Sequence, residues 1–258
     1  MSTNILLGPA ANRITLRPYQ VEAINGVRKS WSQCDRSLGV APTGSGKTII
    51  FAHISENRLS QGRVLILAHR EELIDQAIDK LHQACALRAA KEKAADRADL
   101  DADIVVASVQ TLARRTRRER FPSDHFATVF IDEAHHSLAE GYQRILRYFQ
   151  PQKVLGVTAT PDRGDTRNLG SYYQDVAFEI GLVDLIKDGF LCPIKVRTVP
   201  IEIDLSDVSV RAGDFSEEEL ASALEPVLSQ IAEAISSYAK GRAFDKTEKS
   251  WIPVTRAQ

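Results

Sequence analysis

The feature that most restricts the fold of this chain is an eight-residue segment, Ala41-Pro-Thr-Gly-Ser-Gly-Lys-Thr48. It follows a short apolar run, Ser37–Ala41, and opens a helical pattern, Lys47–Asn57. Gly44 and Gly46 allow the backbone to fold so that its N–H groups point inward, and the positive end of the helix faces the same space. A strand, a glycine-rich turn and a helix in this order predict a phosphate-binding loop rather than an ordinary turn.

The side chains of this loop predict binding of ATP with Mg²⁺. Lys47 is expected to reach the β- and γ-phosphates, and Thr48 is expected to offer its hydroxyl to Mg²⁺. The remaining nucleotide-binding positions of the loop are Pro42, Thr43, Gly44, Ser45 and Gly46. The general pattern begins with Gly, and here Ala41 takes that place.

Two carboxylates, Asp132 and Glu133, lie where a later apolar run, Val129–Asp132, ends. Phosphoryl transfer needs a metal to neutralise charge and a group that positions the attacking water, so Asp132 is predicted to hold Mg²⁺ and Glu133 to act as the base. Alone, such a pair is typical of an exposed strand end, but its position after a phosphate loop favours catalysis. His135 either couples the nucleotide to the next strand or forms a local hydrogen bond.

Short apolar runs alternate with helical patterns along the first two thirds of the chain. Apolar runs without alternation are typical of a parallel sheet covered on both faces, so the prediction is a doubly wound α/β fold with a mainly parallel sheet. The runs are Ser37–Ala41, Val64–Ala68, Ile104–Ser108, Val129–Asp132 and Val154–Thr158. The helical patterns are Pro18–Trp31, Lys47–Asn57, Glu71–Ala86 and Leu138–Phe149.

The composition changes after about residue 192, which predicts two domains, residues 1–195 and 196–258. In the second region Ile194–Leu205 is expected to be extended. A capping pattern at Ser216 and Glu219 is expected to open a helix towards Tyr238. In the first domain, Arg88–Asp103 is expected to be a solvated helix or loop.

The formal net charge is −1, so any contact with nucleic acid must come from local basic patches. The three cysteines, Cys34, Cys85 and Cys192, are far apart and predict neither a disulfide framework nor a zinc motif. They favour a reducing, cytoplasmic location. No run approaches the length of about 18 apolar residues that a membrane span needs, so no membrane partner is expected.

Read in order, these motifs resemble those of superfamily 2 helicases of the DEAH-box group that is similar to the type III restriction subunit. Asp132-Glu-Ala-His135 gives that group its name, and the resemblance covers roughly residues 13 to 200. It implies the first of two RecA-like P-loop domains, with ATP hydrolysis coupled to movement on DNA or RNA. The restriction-subunit likeness favours DNA over RNA.

The resemblance also implies roles for residues outside the two strongest motifs. Leu16-Arg-Pro-Tyr-Gln20 looks like an adenine-recognising segment, with Arg17 and Gln20 as its binding positions. Nucleic-acid contacts are implied for His69, Arg70, Ser108, Gln110 and Thr111, and coupling of hydrolysis to strand binding for Thr158 and Thr160. From the residues alone, the hydroxyls fit ordinary strand ends equally well, and His69 and Arg70 fit a helix start.

A dense basic run lies between two of the predicted strands. It is typical of a solvated face, with a grip on a phosphate backbone as the alternative. Its members are Arg114, Arg115, Arg117, Arg118 and Arg120.

One part of the family pattern has no match in this sequence. No Gln-x-x-Gly-Arg-x-Gly-Arg motif, the source of an arginine finger, follows Pro193. We therefore expect the second RecA-like domain to be missing, with residues 196–258 as a connector and its truncated start. Two functions remain open: a motor ATPase, or a module that binds ATP and nucleic acid with negligible hydrolysis. A P-loop kinase is disfavoured because no acceptor-substrate motif is present.

Overall fold

The structure, a computed structural model, describes residues 14–68, 72–159, 169–194, 210–211, 214–215, 217–228, 232, 242–245 and 250–253. The chain divides into two compact units, Met1–Pro193 and Ile194–Gln258. Among the described residues, no helix is both long enough and apolar enough to cross a membrane.

The first unit is built on a parallel sheet of seven strands, which confirms the predicted α/β fold. Its order is β3-β4-β2-β5-β6-β1-β7, and every adjacent pair is parallel. The five predicted apolar runs coincide with strands, except that Ala41 lies one residue beyond β1. The strands are β1 (Arg36–Val40), β2 (Arg63–Ala68), β3 (Ala90–Glu92), β4 (Ile104–Ser108), β5 (Phe126–Asp132), β6 (Lys153–Thr158) and β7 (Asp175–Glu179).

Helices connect these strands and cover both faces of the sheet. Pro18 begins the first helix, where its missing N–H has no partner to lose and its fixed φ suits the first turn. The helices are α1 (Pro18–Trp31), α2 (Lys47–Arg58), α3 (Glu72–Cys85), α4 (Val109–Leu112), α5 (Arg115–Arg118), α6 (Glu140–Phe149) and α7 (Leu182–Lys187). Short 3₁₀ turns follow α2 at Leu59–Gln61 and β5 at Ala134–His136.

Alternate side chains of each central strand enter different cores. In β2, Val64 and Ile66 pack with α1, α2 and α3, whereas Leu65 and Leu67 face the layer that contains α4 and α6. All four are 2% exposed or less. Because both faces of β2 are buried, its sequence is apolar without alternation.

The interpretation of Arg88–Asp103 as a solvated helix or loop is wrong, because this segment contains the edge strand β3. Glu92, the last residue of β3, is fully buried. Burial of a carboxylate is costly unless charged or polar groups compensate it. The Ala98 N–H donates to this carboxylate over 2.7 Å, but the two arginines that balance its charge lie more than 20 residues away along the chain. The local sequence therefore carries no sign of the strand.

The opposite edge strand, β7, was also absent from the predicted runs. Only one of its five residues, Phe178, is buried. Two glycines make room for it: a Cβ on Gly39 would lie 2.3 Å from the Phe178 ring, and one on Gly26 would lie 2.2 Å from the Ala177 carbonyl oxygen. Close approach of β7 to β1 and α1 therefore depends on these glycines.

In the second unit the described residues include two small antiparallel ladders and the helix α8 (Glu217–Leu224). The ladders join β8 (Val210–Arg211) to β9 (Asp214–Phe215), and β10 (Arg242–Asp245) to β11 (Ser250–Pro253). The helix predicted from Ser216 begins as α8 (Glu217–Leu224) and continues into a 3₁₀ turn at Glu225–Val227. Most of the predicted extended segment Ile194–Leu205 lies outside the described residues.

Candidate nucleotide-binding site

The glycine-rich loop lies at the carboxyl end of β1 and leads into α2. The Ala41 N–H donates to the carbonyl of Thr158 on β6 over 2.9 Å, which fixes the start of the loop. Gly44 and Gly46 have φ values of +86° and +81°, a region that favours glycine. A Cβ at Gly46 would also lie 2.5 Å from Nε2 of Gln20. The sequence folds here as a phosphate-binding loop requires.

The structure brings the predicted phosphate lysine and the two predicted catalytic carboxylates together. Lys47 Nζ lies 3.2 Å from Oε1 of Glu133 and 3.7 Å from Oδ1 of Asp132. Lys47 and Glu133 are 86 residues apart in the sequence. They meet because β1 and β5 both end at the same edge of the sheet, where open α/β folds bind ligands. Thr48 lies beside Lys47 in the first turn of α2.

The environment of Asp132 disfavours its charge. Burial raises the pKa of the Asp132 carboxyl above its usual value, and the negative charge of Glu133 acts in the same direction. Lys47 and the Glu133 N–H, which donates to Asp132 Oδ1 over 3.1 Å, oppose the shift. A bound divalent cation would complete this compensation, since cations are often the largest local charges in such sites.

Glu133 has an unusual backbone conformation. Its φ of +55° lies in the left-handed region, which costs energy for a residue with a Cβ and is found preferentially at functional sites. The strand ends at Asp132, and the chain turns at Glu133 into the short 3₁₀ helix.

His135 links the acidic motif to the neighbouring strand. Its Nδ1 lies 3.2 Å from Oγ1 of Thr158, the last residue of β6, and 3.5 Å from Oε2 of Glu133. His135 therefore has both a contact to the next strand and a local contact to Glu133. Thr160, the other predicted coupling residue, lies outside the described residues.

The predicted adenine-recognising segment is hydrogen-bonded to the glycine-rich loop. Gln20 is 3% exposed; its Oε1 accepts from the Arg17 N–H and its Nε2 donates to the Ser45 carbonyl, each over 3.0 Å. Tyr19 donates its hydroxyl to the same carbonyl over 2.9 Å. A primary amide has two hydrogens and two lone pairs, so Gln20 retains capacity for a base edge.

Three further residues of this region were missed by sequence reasoning: Tyr19, Phe190 and Leu191. The Arg17 guanidinium lies 5.3 Å from the centre of the Phe190 ring, and the Tyr19 ring meets that ring edge-on at 5.2 Å. A Cβ on Gly44 would lie 3.0 Å from a Leu191 methyl carbon. Tyr19 stands between two predicted residues, whereas Phe190 lies 173 positions from Arg17, so no local pattern indicates it.

The predicted nucleic-acid contacts are differently placed. Ser108 and Thr111 are 0% and 5% exposed. The Ser108 hydroxyl donates to Thr111 Oγ1 and accepts from the Thr111 N–H, which caps α4. These internal bonds argue against direct contact of the two hydroxyls with phosphate, whereas the Gln110 side chain is exposed. His69 and Arg70 lie outside the described residues.

The interpretation of the arginine run as one solvated face is wrong, because part of it is structural. Arg117 donates to Oε1 of Glu92 over 2.6 Å, and Arg120 donates to Oε2 of the same carboxylate over 3.1 Å. Arg118 lies over the Tyr148 ring. Arg114 and Arg115 remain exposed. The alternative of contact with a phosphate backbone is therefore left to these two residues.

Comparison with known proteins agrees with this geometry. The family model described as "Type III restriction enzyme, res subunit" matches residues 13–163, more than half of the chain. Saccharomyces cerevisiae IRC3, whose name assigns it to the ATP-dependent helicases, is 37% identical over 80% of this chain and 32% of its own length. The DNA 3'-5' translocase XPB2 of Sulfurisphaera tokodaii is 30% identical over 61% of this chain and 33% of its own. This chain therefore spans about a third of the length of these relatives.

Solved structures show the same fold at low identity. The type ISP restriction-modification enzyme LlaGI, solved with a DNA substrate mimic, aligns with a TM-score of 0.56 and 18% identity over 86% of this chain and 23% of its own. The Hef helicase domain of Pyrococcus furiosus aligns with a TM-score of 0.51 and 24% identity over 63% of this chain and 38% of its own. The chain belongs to the type III restriction enzyme res-subunit family, and its first unit has the fold of the N-terminal RecA-like domain of superfamily 2 helicases.

Proposed function

We propose that this chain binds ATP with Mg²⁺ at the glycine-rich loop and is the ATP-hydrolysing half of a nucleic-acid-dependent motor of the DEAH-box group. The observation that carries the proposal is the meeting of Lys47 with Asp132 and Glu133 within 3.7 Å at the carboxyl edge of the sheet. A phosphate cation, a metal ligand and a base at one edge are the groups that phosphoryl transfer from ATP needs.

The residues present fit a magnesium ion. The partly buried Asp132 carboxylate, whose pKa is raised, gains from a nearby divalent cation, and Thr48 supplies a hydroxyl in the turn that carries Lys47. When bound, Mg²⁺ neutralises charge on the phosphates during transfer. Glu133 orients the attacking water and takes its proton, and Lys47 exchanges its contact with Glu133 for the β- and γ-phosphates.

Coupling to nucleic acid is proposed to pass through β6. The contact between His135 and Thr158 joins the acidic motif to the strand that precedes Thr160. The Ala41 bond to the Thr158 carbonyl brings the phosphate loop to the same point. The end of β6 therefore contacts both halves of the ATP site, as a relay between hydrolysis and strand binding would require.

DNA is the favoured nucleic acid. Among the relatives, XPB2 is named as a DNA translocase, and LlaGI was solved with a DNA substrate mimic. Contact through phosphates carries no base information, so the preference rests on these likenesses rather than on the site itself.

A second candidate function is an ATP- and nucleic-acid-binding module with negligible hydrolysis without a partner domain. The observation in its favour is that Lys47 pairs with Glu133, the proposed base, so this pair must separate before ATP is held for attack. The sequence also contains no arginine-finger motif after Pro193.

Steady-state ATP turnover with Mg²⁺, measured alone and with single-stranded DNA or RNA, tests the proposal. We expect turnover that DNA stimulates more strongly than RNA does. Tight ATP binding with no turnover under any condition would instead establish the binding module. Turnover that is indifferent to both nucleic acids would overturn the coupling.

A further inference from the structure

A second cluster of ligand-type side chains lies away from the nucleotide site. His53 and Glu56 belong to α2, three positions apart and therefore on the same face of the helix, and Cys85 is the last residue of α3. One nitrogen, oxygen or sulfur atom from each residue lies within 4.8 Å of those of the other two. His53 Nδ1 is 4.0 Å from Oε2 of Glu56.

These spacings suit a small transition-metal ion. Zinc bonds of about 2.0 to 2.3 Å place neighbouring tetrahedral ligands roughly 3.3 to 3.8 Å apart, so contraction by about 1 Å would close the triad. The thiolate of Cys85 and the carboxylate of Glu56 would together balance two positive charges. Sulfur is a poor ligand for Mg²⁺ and Ca²⁺, whereas a sulfur, nitrogen and oxygen set suits Zn²⁺.

Burial leaves one side of the cluster open. Cys85 is 2% exposed, whereas the His53 and Glu56 side chains are 18% and 34% exposed. Three protein ligands with one partly open side leave a fourth position for water, as in three-ligand zinc sites.

We propose that His53, Glu56 and Cys85 form a Zn²⁺ site that joins α2 to α3. As the sulfur–metal bond forms, the Cys85 thiol releases its proton to solvent, with no change of oxidation state. The site is separate from the nucleotide site, because His53 follows Lys47 by six residues, or about 9 Å along the helix. It braces the helix that the phosphate loop opens against the helix that follows β2.

Cobalt binding to the full chain tests this site. In a Cys34→Ser, Cys192→Ser background, Cys85 is the remaining thiol of the sequence. With excess Mg²⁺ present, titration with Co²⁺ is expected to saturate at one ion per chain. It should produce cobalt–thiolate charge-transfer absorption that Zn²⁺ abolishes. His53→Ala and Glu56→Gln should each weaken binding by about tenfold or more. Gln76→Ala, an exposed position on α3 away from Cys85, should leave it unchanged.

Thermal melting provides the second measurement, since Cys85→Ser alone could disturb packing. At Zn²⁺ about a hundredfold above the Kd, the Tm of the background chain should rise by about 5 °C or more, and folded His53→Ala should lose that rise. The site is overturned if no thiolate absorption forms with excess Co²⁺. It is equally overturned if binding and the Tm rise survive in both the His53 and Glu56 variants.

Discussion

Lys47 is the residue on which nucleotide affinity depends most directly. It is the only cation within 4 Å of both acidic residues among the described ion pairs, and ATP must offer it a better partner than Glu133. We expect Lys47→Ala to abolish binding of a labelled ATP analogue, because the loop loses its main phosphate cation. Lys80→Ala, an exposed position on α3, is the matched control. Unchanged affinity of the Lys47 variant would remove the phosphate-loop assignment.

Substitution of Glu133 tests ATP binding and ATP hydrolysis separately. Its conversion to Gln keeps the size of the side chain and removes the base, so the Glu133→Gln chain should still bind ATP while its turnover falls by about a hundredfold or more. The paired measurements are the Kd for ATP and phosphate release. Glu140→Gln, on the exposed surface of α6, should match the parent. Turnover that survives in Glu133→Gln would show that another group is the base.

Asp132 is a carboxylate whose position opposes stability. Burial raises its folded pKa, so the unfolded chain ionises it at lower pH, and stability is lost as pH rises from the unfolded value of about 3.8 through the raised folded value. Asp132→Asn should therefore raise Tm at pH 7, by the equivalent of about 0.5–2 kcal/mol, and the gain should shrink as the pH falls towards 4. The exposed Asp79→Asn is the control. A gain that does not depend on pH would contradict this account.

At the scale of elements, the Arg–Glu–Arg cluster holds β3 against the α5 region. Glu92 is fully buried, and the Arg117 and Arg120 side chains are 12% and 25% exposed. Arg117→Ala removes one partner of a buried charge, which typically costs about 3–5 kcal/mol. Arg115→Ala breaks an exposed pair with Glu119 and should cost less than about 0.5 kcal/mol. Urea unfolding of both variants decides whether the run is structural, and equal small losses would show that it is not.

The same elements show how far the sequence predicts the fold. The five central strands and the four long helices were predictable because each carries a local hydrophobic pattern. The edge strands β3 and β7 were not, because β3 depends on Arg117 and Arg120, and β7 depends on space left by Gly26 and Gly39. The site residues also divide into those with a local sequence pattern and those placed by tertiary contacts. Lys47, Asp132 and Glu133 stand in short motifs, whereas Phe190 reaches Arg17 only through the tertiary fold.

At the scale of the whole molecule, the remaining requirement is the positive charge of an arginine finger, which stabilises the transition state of ATP hydrolysis. The chain spans about a third of its relatives' length, and its sequence after Pro193 has no arginine-finger motif. That Ile194–Gln258 begins a second RecA-like domain stays a prediction. A finger supplies about 10³–10⁵ in rate, and a GTPase that receives one from a partner protein turns over at about 5–20 s⁻¹.

We therefore expect residues 1–258 alone to hydrolyse ATP at less than about 0.1 s⁻¹ with DNA present, and the rate per chain to be independent of chain concentration. Phosphate release measured across a wide range of chain concentrations checks this. A rate per chain that rises with concentration would mean that a second copy supplies the arginine, because association would then limit catalysis. A rate near 10 s⁻¹ at every concentration would place the missing charge within this chain, and the exposed Arg17 and Arg114 would be the first residues to replace.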